Sequence, residues 1–284
     1  MLLGLAIMIG SQIATLAGVE PFASWNTPIC WTGFILFADA VVFRARGDSW
    51  IRSAPREFVA MTLMSIPLWL VFEGFNLVIR NWSYIGLPES RPLRLFGYAW
   101  SFATITPAIF EGAELIAIVR AQRRAGGAGK AGEAGGFPPA QPAQPALPAL
   151  ASIVAGALML AAPFFVTPAA ARYMAAPVFL GFIFLLDPIN ARLGAELLTR
   201  DRTINLMLSG LLCGVLWEFW NYWARAKWVY TVPIMEYLKV FEMPLPGFFG
   251  FPPFALECFT MYVFVRVLYV TLTGARDRGR TIAL

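Results

Sequence analysis

The chain has 284 residues, of which 58% are hydrophobic and only 14% are charged, and its mean hydropathy is +0.65. Soluble domains carry roughly 25% charged residues, so this composition predicts an integral membrane protein. The net charge of +5 is spread over the connections between apolar segments, which favours a role in membrane topology and excludes a nucleic-acid-binding face.

Apolar segments recur along the whole chain. A helix needs about 20 mostly apolar residues to cross the hydrocarbon core. About eight apolar segments are present, in chain order over residues 2–18, 28–43, 58–78, 95–119, 150–166, 174–189, 204–224 and 248–272. No basic region precedes the first segment, so we interpret it as a helix and not as a signal peptide. The sequence therefore predicts an all-α membrane protein with about eight transmembrane helices.

A stretch rich in Gly, Ala, Pro and Gln at residues 126–148 is typical of a flexible and then extended linker. It divides the chain into two predicted four-helix repeats, residues 1–125 and 149–284. Lys and Arg are about twice as frequent on the side that holds the linker and both termini. The linker and the termini are therefore predicted to be cytoplasmic, in a bacterial cytoplasmic membrane.

Three short motifs occur in the same order in both halves, and their spacing is nearly equal. They are GFILFAD and GFIFLLD (33–39 and 181–187), FEGFN and WEFWN (72–76 and 217–221), and PAIFE and PFALE (107–111 and 253–257). The order predicts an internal duplication. Because each copy has an even number of predicted helices, both copies enter the membrane the same way up. A pseudo-two-fold axis along the membrane normal follows.

The repeated motifs contain four glutamates inside predicted helices: Glu73, Glu111, Glu218 and Glu257. A charged side chain at the bilayer centre costs roughly 2.5–3.5 kcal/mol on insertion scales, so these side chains are expected to face the bundle interior. Asn76 and Asn221 follow two of them by three residues, on the same helical face. The other two follow a proline that can kink the helix. The four form either an acidic site or polar contacts that lock the helices together, at about 0.6 kcal/mol each.

Aromatic residues are dense around the second glutamate motif. Trp217, Trp220 and Phe254 are candidates to line a cavity for a flat or cationic ligand, because a cation–π contact contributes about 0.5–2 kcal/mol. Packing in the core explains these residues equally well. The matched Trp-x-Tyr motifs at residues 82–84 and 228–230 fit an aromatic belt at the outer membrane interface.

The second half resembles the membrane lycopene cyclase domain family, of the small-subunit or fused type. The residues that carry the resemblance are Trp217, Glu218, Trp228, Tyr230, Gly250, Pro253, Glu257 and Phe259, and more faintly Glu73, Trp82, Tyr84, Pro107 and Glu111 in the first half. The resemblance implies two similar transmembrane units and an enzyme that cyclises a polyene by proton addition. The chain departs from the family in two ways. The family's Pro-x-Glu-Glu is Pro-x-x-x-Glu here, and each unit has four predicted helices where the family has three.

The first functional hypothesis is an intramembrane enzyme acting on a lipid-soluble isoprenoid, similar to a carotenoid cyclase (an isomerase) or hydratase. Glu257 and Glu111 are then the candidate general acids, and Glu218 and Glu73 stabilise or deprotonate the carbocation. The predicted substrate-binding residues are Asn76, Asn221, Trp217, Trp220, Trp228, Tyr230 and Phe254.

Two alternatives remain open from the residues alone. One is a proton- or cation-coupled transporter in which the carboxylates form a relay. The other is a non-catalytic membrane subunit that binds lipid or pigment. Because histidine is absent and the three cysteines are isolated, neither a metal nor a cofactor is expected. The expected partners are a lipid-soluble small molecule and membrane lipids, and no nucleic acid.

Overall fold

A computed structural model describes residues 1–128 and 149–274. Nearly all of the predicted linker at residues 126–148 lies outside the described residues. The first half contains the helices α1 (Leu2–Leu16), α2 (Phe22–Arg46), α3 (Trp50–Ser53), α4 (Pro55–Ile79), α5 (Arg91–Ala103) and α6 (Ile105–Ala128). The second half contains α7 (Ala149–Ala161), α8 (Pro168–Ala171), α9 (Ala175–Arg192), α10 (Arg200–Trp223) and α11 (Phe251–Thr273). The strands are β1 (Trp82–Ile85), β2 (Lys227–Tyr230), β3 (Lys239–Val240) and β4 (Met243–Pro244).

Within the described ranges, 6 helical stretches are long and apolar enough to cross a membrane, and they fit an integral membrane protein. They are Phe22–Arg46, Pro55–Ile79, Arg91–Arg124, Ala175–Arg192, Arg200–Trp223 and Leu245–Thr273. The prediction of an all-α membrane protein is confirmed, and six of the about eight predicted spanning helices are, in the described ranges, long and apolar enough to cross a membrane. The first and fifth predicted segments form the shorter helices α1 and α7, of 15 and 13 residues.

The short helices α1 and α7 each pack against the next long apolar helix, α2 and α9. A Cβ atom added at Gly4 would lie 2.5 Å from the carbonyl oxygen of Gly33, and one added at Gly156 would lie 2.6 Å from that of Gly181. Only glycine permits such an approach of two backbones, as at many helix contacts in membranes. The matched GF motifs of the sequence thus mark the contact between two helices in each half.

Prolines interrupt the last long helical stretch of each half. Pro107 has no N–H to donate to the carbonyl of Ala103, and the helix breaks there into α5 and α6. The Ser65 hydroxyl compensates, since it donates to the carbonyl of Phe102 (2.5 Å) and accepts from the N–H of Thr106 (3.1 Å). In the second half a 3₁₀ turn over Leu245–Gly250 precedes α11, whose first turn carries a proline.

No β-structure was predicted from the sequence, yet β1 and β2 pair across the two halves. The pairing is antiparallel, with Trp82 opposite Tyr230 and Tyr84 opposite Trp228. Ser83 and Val229, the middle residues of the two Trp-x-Tyr motifs, lie opposite each other. The two Trp-x-Tyr motifs therefore face each other symmetrically. Strands β3 and β4 form a second small ribbon in the loop between β2 and α11.

We predict that Gly156→Ala destabilises the protein although alanine favours helix. The added methyl group would lie 2.4 Å from the Leu185 backbone nitrogen, so α7 must move away from α9. Overpacking of this kind costs about 1–3 kcal/mol of unfolding free energy. Thermal unfolding in detergent micelles measures the effect. Gly10→Ala in α1 is the matched control, because nothing lies within 4 Å of its added Cβ. Equal melting temperatures for the two variants would contradict the prediction.

Candidate functional site

A cavity of about 430 Å³ lies beside the ribbon of β1 and β2. Its volume is in the range of small-molecule sites, about 300–1,000 Å³. The described wall is mainly apolar and aromatic, and it is built from α2, α4, α5, α9, α10, α11 and the loops at their ends. Six aromatic residues on this wall lie in or next to the matched glutamate motifs and the Trp-x-Tyr motifs: Trp69, Trp82, Tyr84, Trp217, Trp228 and Tyr230.

Glu73 lies directly behind this wall in the first half. A single carboxylate oxygen, Oε1, accepts three hydrogen bonds, from the Nε1 atoms of Trp69 (2.9 Å) and Trp82 (3.1 Å) and from the hydroxyl of Tyr84 (2.5 Å). All three donors line the cavity. Three donors compensate a negative charge on this carboxylate.

Glu218 occupies the matched place in the second half and is completely buried. Its Oε1 accepts one hydrogen bond, from the hydroxyl of Tyr230 at 2.8 Å. The Nε1 of Trp228 donates to the Tyr230 oxygen (2.8 Å). The other oxygen, Oε2, is buried and has no hydrogen-bond partner in the described part of the chain. The two sites therefore share their residue types but differ in how their carboxylates are satisfied.

The two tyrosines connect the cavity to the glutamates. Burial, followed by the neighbouring Glu73 carboxylate, raises the pKa of Tyr84 well above its usual range. The same two causes, with Glu218 as the neighbour, raise the pKa of Tyr230. Both phenols therefore keep their protons at neutral pH.

Asn76 and Asn221 hold the ribbon in place. The Nδ2 of Asn76 donates to the Trp82 carbonyl (2.8 Å), and its Oδ1 accepts from the Trp82 N–H (3.2 Å). Asn221 makes the same pair of bonds to Trp228, at 2.8 and 3.0 Å. The asparagines that follow the glutamates thus fix the strand whose side chains reach back to those glutamates.

Glu257 and Glu111, the predicted general acids, do not line the cavity. Both are completely buried. The Oε1 of Glu257 accepts from the backbone N–H of Phe182 in α9 (3.1 Å), and its Oε2 is buried without a hydrogen-bond partner among the described residues. Glu111 lies in α6, where this helix packs against α10 and α2. One turn further on, Glu114 forms an ion pair with Arg46.

The predicted substrate-binding residues divide into two groups. Trp217, Trp228, Tyr230 and Phe254 line the cavity. Trp220 packs edge-on against Trp31, with ring centroids 4.8 Å apart, and is not part of the described wall. Asn76 and Asn221 bind strand backbone, as described above. The cavity therefore gathers the aromatic members of the predicted set, and the amides support the scaffold.

The predicted site residues did not include Trp69, Trp82 or Tyr84, although Trp82 and Tyr84 were noted as aromatic-belt residues and as part of the family resemblance. The signal for the last two was present, because Trp-x-Tyr places both side chains on one face of a strand. The aromatic-belt interpretation of these residues does not account for their hydrogen bonds to Glu73. Trp69 lies four residues before Glu73, one helical turn away, and that spacing could also have indicated the contact.

No protein-family model, no curated protein and no solved structure matches this chain. Its class is therefore defined by the fold and the cavity. It is an integral membrane protein in which an aromatic cavity is flanked by two glutamate–tyrosine pairs.

We predict that Asn221→Leu loosens the ribbon. Leucine has a similar size but cannot bond the Trp228 backbone, so the unfolding free energy should fall by about 1–3 kcal/mol. Amide hydrogen exchange at Trp228 should also become faster. Ser83→Ala, at an exposed ribbon position, is the control and should change neither quantity. If amide exchange at Trp228 stays as slow as in the unmodified protein, Asn221 does not hold this strand in place.

Proposed function

We propose that the protein is an intramembrane enzyme that binds a lipid-soluble isoprenoid in the aromatic cavity and starts its reaction by proton addition. The observation that carries the proposal is that two phenols on the cavity wall are each hydrogen-bonded to a glutamate behind it. The hydrocarbon wall suits a polyene chain, and the phenols are polar groups at its surface.

Glu218 and Tyr230 are the proposed acid. A buried carboxylate is costly to ionise when one of its oxygens has no donor, and Oε2 of Glu218 is buried without a hydrogen-bond partner among the described residues, while Oε1 accepts from Tyr230. A proton on Oε2 removes the need for further donors. In the proposed step the Tyr230 O–H leaves Oε1 and protonates the substrate. The carboxyl group of Glu218 turns so that its Oε2–H replaces the phenolic proton, which leaves Glu218 ionised until the substrate returns a proton. This assignment differs from the sequence-based hypothesis, in which Glu257 and Glu111 are the acids.

Glu73 is the proposed stabilising anion. Three donors hold its negative charge at Oε1, next to the cavity wall. A carbocation in the cavity is attracted by this charge and by the faces of the tryptophan rings, at about 0.5–2 kcal/mol per ring. The same carboxylate can accept the proton that the carbocation later loses, through Tyr84.

The proposed reaction balances without an oxidant or a reductant. The π-electron pair of one substrate double bond forms the new C–H bond with the proton, which leaves a carbocation. A second double bond attacks the carbocation and forms a ring, and a neighbouring carbon then loses a proton. Attack by water in place of the second double bond gives the hydrated product. The net change is therefore an isomerisation or a hydration.

We further propose that the chain consists of two related four-helix units, residues 1–125 and 149–284. The symmetric register of β1 and β2 supports an approximate two-fold axis through the pair Ser83 and Val229. The glycine contacts between the first two apolar helices of each half support it as well. We also propose that the chain is distantly related to the membrane lycopene cyclase domain. We propose that it lies in a bacterial cytoplasmic membrane with both termini in the cytoplasm.

The test is deuterium transfer from solvent to substrate. Membranes containing the protein are incubated in heavy water with lycopene, geranylgeraniol or geranylgeranyl diphosphate, and extracts are separated and analysed by mass. A product with deuterium on carbon is expected from at least one substrate. Tyr230→Phe and Glu218→Gln should lower its rate by about 10²–10⁴-fold, the usual contribution of a general acid. Tyr222 is exposed and lies one turn after Glu218 in α10, so Tyr222→Phe is the control and should not change the rate.

Other outcomes point to the other functions. Product formation that survives both Tyr230→Phe and Glu218→Gln would remove this pair as the acid. No product from folded protein, together with proton flux into liposomes that Glu218→Gln suppresses, would indicate a transporter. A tightly bound pigment without turnover would indicate a binding subunit.

A further inference from the structure

Basic residues, and no acidic ones, are found among the described residues that line the cavity. The basic residues are Arg94, Arg172 and Lys227. Lys227 is neutralised by Glu242 at 2.5 Å. Neither arginine forms an ion pair with a carboxylate in the described ranges. The wall of an otherwise apolar cavity therefore carries two uncompensated positive charges.

Arg172 is held at the ribbon by both its side chain and its backbone. One guanidinium nitrogen, Nη2, donates to the carbonyl of Thr231 at 2.6 Å. The Arg172 carbonyl accepts from the Nδ2 of Asn81 at 2.9 Å. Thr231 directly follows β2, and Asn81 directly precedes β1. The guanidinium is therefore held beside Thr231, the residue that follows Tyr230 in the chain.

The Nε of Arg172 is cut off from solvent and has no hydrogen-bond partner in the described part of the chain. An exposed arginine that serves only membrane topology would extend into water, where its N–H groups are solvated. A buried N–H without an acceptor costs about 1–3 kcal/mol. An anion bound at the part of this guanidinium that lines the cavity neutralises its charge.

We infer that the ligand of this cavity is an amphiphile with an anionic headgroup, a phosphate, diphosphate or carboxylate, bound by Arg172 and Arg94. The hydrocarbon chain then lies among the tryptophan and tyrosine rings. A planar guanidinium suits the oxygens of such a headgroup, because it donates parallel hydrogen bonds. This inference rests on the proposed function for the cavity as the substrate site, and it narrows the substrate to isoprenoids that carry an acidic head.

The position of Arg172 also orients the ligand. A headgroup at Arg172 lies beside Thr231, so the first carbons of the chain pass Tyr230 and its partner Trp82 in the ribbon. The Glu218–Tyr230 pair therefore faces the end of the chain that is nearer the headgroup.

The experiment compares two ligands that differ only in the head. Geranylgeranyl diphosphate and geranylgeraniol are titrated onto purified protein in neutral detergent, and binding is followed by quenching of tryptophan emission. We expect the diphosphate to bind about tenfold or more tightly than the alcohol, because hydrogen bonds to charged groups are worth at least that factor. Arg172→Gln and Arg94→Gln should each reduce this preference severalfold. Arg225→Gln removes an exposed charge that does not line the cavity, and should leave the preference unchanged.

A diphosphate that binds no better than the alcohol would overturn the inference but leave the apolar cavity as a binding site. The inference would also be overturned if Arg172→Gln and Arg94→Gln kept the same preference for the diphosphate as the unmodified protein. Melting temperatures verify that both variants are folded. Glu218→Gln separates this result from the proposed chemistry, since it should abolish turnover and retain the preference for the diphosphate.

The source of the anionic head is resolved by repeating the titration in nanodiscs. Competition by phosphatidylglycerol but not by phosphatidylcholine, lost in Arg172→Gln, would assign the site to a membrane-lipid headgroup. Preference for the diphosphate that persists in phosphatidylglycerol nanodiscs would assign it to an isoprenoid phosphate. Both outcomes support an anionic head.

Discussion

A carboxylate inside a membrane-spanning helix needs hydrogen-bond donors, and the structure depends on how Glu73 and Glu218 obtain them. Helical neighbours cannot supply enough, because the backbone N–H groups of a helix are already bonded. The ribbon of β1 and β2 supplies donors from outside the helices, since alternate strand residues point to one face. Asn76 and Asn221 then fix each strand so that its tyrosine and tryptophan reach the glutamates. The cavity wall is a consequence of this arrangement.

The prolines of the repeated Pro-Glu motifs lie at helix breaks, and these breaks form part of the cavity wall. Both helix breaks border the cavity: Tyr98 and Phe102 of α5 line it on one side, and Phe249 and Gly250 of the 3₁₀ turn line it on the other. A helix that continued unbroken would keep these aromatic residues in line with the bundle. The prolines therefore shape the cavity, while Glu111 and Glu257 lie deeper, between packed helices.

Composition was enough to predict the membrane class, because apolar content and the scarcity of charge directly reflect lipid as the solvent. The matched glycines and the Glu–Asn pairs were also visible as short local patterns. The strands were not, because a four-residue ribbon is stable only through pairing with a distant segment. Glu218 accepts a hydrogen bond from a residue of the described cavity wall, and Glu257 accepts its hydrogen bond from a residue outside it. This difference depends on the rotation of each helix, which is set by contacts with residues such as Phe182 and Tyr230. No spacing rule contains that information.

One difference between the two glutamate–tyrosine pairs can be traced to a single position. Trp69 precedes Glu73 by four residues and donates to it, whereas Gly214 holds the same place before Glu218. A side chain at Gly214 is excluded by the ring of Phe251, which would lie 2.2 Å from its Cβ. Glu218 therefore has no indole donor one turn before it in its own helix, and its Oε2 is buried without a hydrogen-bond partner among the described residues, while Glu73 accepts three hydrogen bonds. In the reaction that we propose, the first pair holds a negative charge and the second supplies the proton, and this difference in hydrogen bonding is what distinguishes the two roles.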